Sequence, residues 1–482
     1  MSPALVHFDS PFRMETGGRT AEPWTDGGQP WPQSGRTPDR VADVPVHSPD
    51  GGAGNGAPAN ATELMSIVNP AVNWIYDSGM ANYDDGTDAL ATPIANLTAS
   101  ITVGEGASER CGRDSLFTIL VQKASTSDPT YLRIIEGEDA DLAWEVNLGQ
   151  TEYVKAAPVV VDIDGDGLQE VLVAYDDSSG DLFVDAWSPR LSCTVTGWST
   201  AGDSSELLWS WTDEDLFISN VGPYDGQFGG YHKPTAQPLL ADLDFDGDAE
   251  LIIAAIEDSS GYPPYVVALG LSDSAATVLW DVELDKGSHP SDPAFAKTGD
   301  STGYVLLTTI KDTTGAMWVW KLDHEDGEPI WGGKPLDTAD SASDASPHIR
   351  LPGPVIVNLD GELDDLEMVL TVPTDNDGHG SSDGAEFIGM EISDGTTLWS
   401  FDASNGFADA PPVTIDTDED GQHDRVCWVT WSEENLGWNR YGYAGCHDVD
   451  GPSPDQAWQN NLARDGGNQN DGIAVSPPTW ME

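Results

Sequence analysis

Three short acidic turns recur along the chain, each between two apolar runs: Asp162-Ile-Asp164-Gly-Asp166-Gly-Leu168-Gln-Glu170, Asp242-Leu-Asp244-Phe-Asp246-Gly-Asp248-Ala-Glu250 and Asp416-Thr-Asp418-Glu-Asp420-Gly-Gln422-His-Asp424. Carboxylates at positions one, three, five and nine can wrap oxygen ligands around one hard cation. The backbone carbonyl of position seven, from Leu168, Asp248 or Gln422, completes the set, so calcium is the first ion to consider. Gly at position six permits the sharp turn. A helical EF-hand would need Glu at position twelve, where the three turns hold Val173, Ile253 and Cys427 instead. His423 stands at position eight of the third turn, where a side chain should point to solvent. A degraded fourth copy begins at Asn358, keeps Asp360 and Glu362, and carries its last acid, Glu367, one place late.

The flanks show what must position these turns. Before each runs a strand opened by Pro (Pro158-Val-Val-Val, Pro238-Leu-Leu-Ala, Pro412-Val-Thr-Ile), and after each comes another apolar strand (Val171-Leu-Val-Ala, Leu251-Ile-Ile-Ala, Val426-Cys-Trp-Val). Each acidic turn therefore closes a hairpin. A second mark recurs out of phase with the first, a Trp ending a short strand: Trp74, Trp144, Trp209, Trp280, Trp331, Trp399 and Trp458. Pro-led strands at Pro93, Pro158, Pro238, Pro293, Pro354, Pro412 and Pro478 alternate with them. Six units run from a Pro strand to a Trp strand, and their length suits one four-stranded propeller blade.

At these residues the chain resembles the FG-GAP/VCBS family of calcium-binding β-propellers, with Trp-ended blades similar to those of quinoprotein-like propellers. The likeness covers about residues 69–482 and is specific in the acidic loops. It implies an all-β propeller of six full four-stranded blades, calcium in the acidic loops, and structural blades without metal at Pro93 and Pro293. Trp74 ends a strand with no Pro strand before it, and Pro478 opens one with no Trp strand after it. Both termini could thus close a composite seventh blade; six blades with two accessory strands is the alternative.

Lys plus Arg total 20 against 83 Asp plus Glu, a formal charge of −63. Concentrated salt screens such self-repulsion to a Debye length of about 3 Å at 1 M. The composition resembles that of haloarchaeal and haloarchaeal-virus proteins, and most acids outside the turns read as a hydrated surface. Nucleic acid binding is disfavoured, because phosphate contacts need clustered Lys and Arg. No run of eighteen apolar residues and no charged start before an apolar stretch is present, so neither a membrane span nor a leader is visible in the sequence as written.

Cys427 and Cys446 lie a hairpin apart and could form a disulfide; Cys111 and Cys193, in adjacent blades, are a second candidate pair. Residues 1–68 are rich in Gly, Pro, Asp and Ser, and read as an extended arm before the propeller at 69–482. Such an arm docks either on its own propeller or on another subunit of an assembly, the reading preferred.

No HExxH, GxSxG or phosphate-cradling Gly loop appears, and no vicinal Cys pair. No catalytic residue is assigned. The expectation is a non-enzymatic, calcium-stabilised propeller serving as a surface attachment or structural subunit, a virion spike or fibre or a cell appendage, outside the cell in high salt. A secreted polysaccharide lyase or quinone-dependent dehydrogenase is the alternative. Aromatic residues in the long excursions 210–233, 332–351 and 433–454, among them Tyr224, Phe228, Tyr231, Trp438, Tyr441 and Tyr443, suit a cell-surface glycan or a receptor on the propeller loops.

Overall fold

The computed structural model describes residues 99–104, 117–123, 129–136, 141–151, 156–177, 181–198, 206–213, 232–234, 236–257, 263–299, 301–311, 316–336, 351–360, 366–374, 384–403, 408, 410–417, 421–434, 439–450 and 454–464. Backbone strands at Ala4–Asp9, Asp43–Pro45, Ala71–Asp77 and Leu90–Ile94 are described as well. Among these residues there is no α-helix.

The strands form successive antiparallel meanders, the blades of a β-propeller. The first runs through Leu90–Ile94, Phe117–Lys123, Thr130–Glu136 and Leu142–Gly149. The second uses Val159–Val161, Glu170–Asp176, Leu182–Ser188 and Glu206–Thr212. The third has Leu239–Ala241, Glu250–Glu257, Tyr265–Leu271 and Ala276–Glu283, extended by His232–Pro234. The fourth has Ala294–Gly299, Thr302–Ile310, Met317–Asp323 and Pro329–Pro335. The fifth has Val355–Val357, Glu367–Thr374, Gly384–Glu391 and Thr397–Ala403. The sixth has Val413–Asp416, Arg425–Glu434, Asn439–Asp448 and Asp455–Arg464.

The predicted punctuation falls where a blade needs it. Pro158, Pro238, Pro293, Pro354 and Pro412 each stand immediately before a first strand, and Pro93 lies within one. Pro lacks an amide donor, so it suits the residue at which a ladder begins. Trp144, Trp209, Trp280, Trp331, Trp399 and Trp458 all lie in fourth strands.

Second strands are buried on both faces, as Glu170–Asp176 and Glu367–Thr374 are throughout. Because side chains alternate along a strand, Val171, Val173 and Tyr175 join the core shared with the first blade. Leu172 and Ala174 join the core shared with the third. Fourth-strand Trp residues also reach forward. Trp209 Nε1 donates to the Ser272 carbonyl at 2.8 Å, in the next blade's turn. Trp331 lies against Gly395, where a Cβ would come within 3.1 Å of its ring, in the turn of the fifth blade.

Contacts divide the chain into two compact units, Met1–Asp9 with Pro70–Asp242 and Asp246–Asp281, and Ser10–Asn69 with Leu243–Phe245 and Val282–Glu482. In the first, Ser100–Val103 runs parallel to Arg190–Thr194, which pairs with Gly197–Trp198 in a small extra sheet. Ala71–Asp77, the strand of Trp74, pairs with Ala4–Asp9. The residues expected to share its blade, 478–482, lie outside the described residues. In the second unit Asp43–Pro45 runs parallel to Val413–Asp416.

Cys427 and Cys446 face each other across the sixth blade and are disulfide-bonded, with Cα atoms 4.0 Å apart. Cys193 is disulfide-bonded too; Cys111 lies outside the described residues. The excursion expected over 433–454 is a correction. Its middle is the strand Asn439–Asp448, so Tyr441 and Tyr443 belong to a ladder, and Tyr443 packs against the core of the fifth and sixth blades. Tyr224, Phe228, Tyr231 and Trp438 lie outside the described residues.

Candidate functional site

Each acidic turn joins the first and second strands of its blade, the position the flanking Pro and Val/Ile runs impose. In the turn at 162–170 the backbone enters the left-handed region twice, at Gly165 (φ 70°) and Gly167 (φ 84°). A Cβ on either would meet nothing within 4 Å, so backbone conformation alone selects glycine there. The reversal points amides inward: Gly167 N donates to Asp162 Oδ2 at 3.0 Å, Asp166 N to Asp164 Oδ1 at 3.0 Å, and Leu168 N to Asp166 Oδ1 at 2.7 Å. Glu170 Oε2 accepts from Ile163 N at 3.0 Å, which ties the ninth position to the second.

These bonds leave carboxylate oxygens of Asp162, Asp164 and Glu170 within 4.8 Å of one another. Asp162 Oδ1 is buried and has no hydrogen-bond partner. Burial, opposed by two backbone hydrogen bonds, raises the Asp162 carboxyl above its ordinary range. Glu170 is pushed up to about 7, first by burial and then by repulsion from Asp164, Asp162 and Asp166. A divalent cation would reverse that balance and suit the oxygen-only donor set. Asp166 is exposed, and Leu168 contributes its backbone carbonyl to the predicted set.

In the turn at 242–250, oxygens of Asp242, Asp244 and Asp246 lie within 4.8 Å of one another. Asp248 N donates to Asp246 Oδ1 at 2.9 Å, and Glu250 is buried at the start of the second strand. Phe245 takes the place of Gly165 and keeps its left-handed backbone, with φ 60°. That conformation is costly for a residue with a Cβ. Its ring packs 5.1 Å from His324 and 6.2 Å from Phe295, and His324 Nδ1 donates to the Leu243 carbonyl at 2.6 Å.

The third turn repeats the backbone plan but spends its acids differently. Gly421 (φ 92°) donates to Asp416 Oδ2 at 2.8 Å, as Gly167 does to Asp162. Asp424 accepts at both oxygens from Thr417, from the amide at 3.1 Å and from the hydroxyl. Asp418 and Asp420 lie outside the described residues. Gln422 Nε2 donates to the Leu359 carbonyl at 2.6 Å. His423, expected to face solvent, is buried: its amide donates to the Asn358 carbonyl at 2.8 Å and Nδ1 lies 3.3 Å from the same oxygen. The neighbouring turn, and not the local alternation, decides its direction.

In the degraded copy Leu359 N donates to Glu367 Oε2, the same tie from second position to last acid. The late acid therefore occupies the ninth-position role despite its offset. Oxygens of Asp360, Glu367 and Glu391 gather within 4.8 Å of one another; Glu362 lies outside the described residues. Glu391 comes from the third strand and pairs directly with Glu367 across the ladder. Only the register of that hairpin could have pointed to it.

No known protein family profile matches the sequence, and no curated protein matches it. Among solved structures, a quinohaemoprotein alcohol dehydrogenase from Comamonas testosteroni is similar at 11% identity and a TM-score of 0.44, covering 85% of this chain and 64% of that one. The WD40 domain of SCAP from fission yeast gives 8% identity and a TM-score of 0.36, over 72% of this chain and 74% of that one. A Trypanosoma rangeli sialidase gives 11% and 0.32, over 74% of this chain and 52% of that one. This chain is thus similar in fold to two enzymes and to a WD40 domain, at identities that leave its function to its own residues.

Proposed function

We propose that this protein is a non-enzymatic, calcium-stabilised β-propeller of the FG-GAP/VCBS kind, acting as an attachment or structural subunit at the surface of a halophilic cell or virion. The observation that carries the metal reading is the 162–170 turn. There a buried carboxylate oxygen of Asp162 has no protein donor and stands beside oxygens of Asp164 and Glu170. Uncompensated buried charge is costly, and a cation held by these oxygens removes the cost. When bound, calcium would be held by Asp162, Asp164, Asp166, Glu170 and the Leu168 carbonyl, and would pin the hairpin from which the second blade is built. The 242–250 turn offers a second such set. Surface placement is supported by the disulfides at Cys427–Cys446 and Cys193, bonds that persist in oxidising surroundings, and by the charge of −63.

The test is thermal unfolding in concentrated KCl, with calcium or with chelator, of the parent and of Asp162→Asn/Asp164→Asn. Calcium at a hundredfold excess over its dissociation constant should stabilise the parent by about 3 kcal/mol. The double variant should lose at least one site's share of that gain. A parent that melts identically with and without chelator would refute the metal reading. Labelling of the protein by a membrane-impermeant reagent on intact cells or particles checks its location; protection until lysis would refute the surface role.

A further inference from the structure

A cavity of about 160 Å³ opens between the last strand of the fourth blade and the outer half of the fifth. A water's share of liquid is about 30 Å³, so this is room for a small organic group and not merely for one solvent molecule. Leu336, Ile388 and Met390 supply apolar wall, while Glu386, Ser400 and Lys334 supply its polar groups. The strand Gly384–Glu391 explains the mixture. Ala385 and Phe387 enter the core shared with the sixth blade, whereas Ile388 and Met390 turn with Glu386 to the opposite face.

The lining holds one ammonium, Lys334, and one carboxylate, Glu386, and the two do not form an ion pair. Lys334 Nζ donates to the carbonyls of Asp394, at 3.1 Å, and Gly395, so its ammonium is engaged at the neighbouring turn. Burial raises the Glu386 carboxyl, a hydrogen bond with the Ser400 side chain lowers it, and repulsion from Asp402 raises it. Among the described residues no cation forms an ion pair with Glu386. A half-buried carboxylate against aliphatic walls is stabilised by a cation that brings its own apolar stem.

We infer that this cavity binds a primary alkylammonium group, with its alkyl chain on Leu336, Ile388 and Met390 and its ammonium donating to Glu386 and Ser400. The chain's net charge of −63 favours the approach of such a cation. The group could belong to a free amine or to an exposed lysine of another protein, since the recognised chemistry is the same.

The probe is n-butylammonium chloride, followed by saturation-transfer NMR at fixed KCl, with n-butanol as its neutral counterpart of equal length. Saturable binding with a dissociation constant on the order of 1 mM is expected from so small a ligand. Glu386→Gln should weaken it at least tenfold, and n-butanol should bind at least tenfold more weakly than the amine. Equal binding of amine and alcohol overturns the inference, and that comparison needs no variant, so it decides even where Glu386→Gln is poorly folded. Unchanged amine binding in a folded Glu386→Gln protein overturns it as well. Given amine binding, an acetylated and amidated Gly-Lys-Gly peptide that competes marks a protein lysine as the source; a peptide that does not compete marks a free amine.

Discussion

Gly167 carries the turn at 162–170 through a left-handed backbone while its amide caps Asp162. Space around it is open, so Gly167→Ala isolates backbone cost from packing cost. The substitution should destabilise by about 1 kcal/mol in chelator. It should cost more in calcium, because it also disturbs the inward-pointing amides; equal costs in both conditions, measured by denaturant unfolding, would separate the glycine from the metal site. At this scale much was legible in advance. Acid spacing and glycine placement are local, and they located Asp162, Asp164 and Glu170 together. Glu391 and the burial of His423 were not legible, since both depend on strands and turns distant in sequence. The doubly bonded Asp424 was hidden for a subtler reason, because a Thr at position two competes for the oxygens a metal would use.

Among the elements, the third strand of the sixth blade shows how one histidine links two blades. His447 is buried, accepts a hydrogen bond from Trp428 Nε1 at 3.2 Å, and stacks on Phe401 of the fifth blade with ring centroids 3.9 Å apart. Burial drives its pKa down to about 4, against a smaller opposing pull from Asp448. The unfolded chain, with a histidine near 6.5, therefore binds more protons between about pH 4 and 6.5. Stability from neutral His447 is complete above that window and lost as pH falls through it, on the order of 2 kcal/mol after screening by residual solvent. Glu170, raised in the folded state, acts in the opposite sense as pH rises toward 7 in metal-free protein. The comparison with His447→Gln removes that background: the variant should show a flatter loss of stability from pH 6.5 to 4, and parallel curves would contradict the assignment. Strand order at this scale was readable from the Pro and Trp spacing. The strand Asn439–Asp448 was not, because its glycines and charged residues read as a loop, and pairing with both neighbours overrides that local signal. Nor could pattern alone reveal the parallel pairing of Ser100–Val103 with Arg190–Thr194, which joins insertions of two blades.

Over the whole molecule, 83 acidic residues against 20 basic ones repel one another. Screening lengths shrink from about 10 Å at 0.1 M salt to about 3 Å at 1 M, so added KCl should raise the unfolding temperature steeply over that interval. In saturating calcium the dependence should be shallower, since cations held at the turns would offset part of the repulsion there. An unfolding temperature independent of KCl from 0.1 to 3 M would contradict the high-salt reading. The most direct test of the central claim is anomalous diffraction from crystals grown with millimolar calcium. A peak is expected at the 162–170 turn, about 2.3–2.6 Å from oxygens of Asp162, Asp164 and Glu170. An ordered turn with no anomalous peak at that position would contradict it.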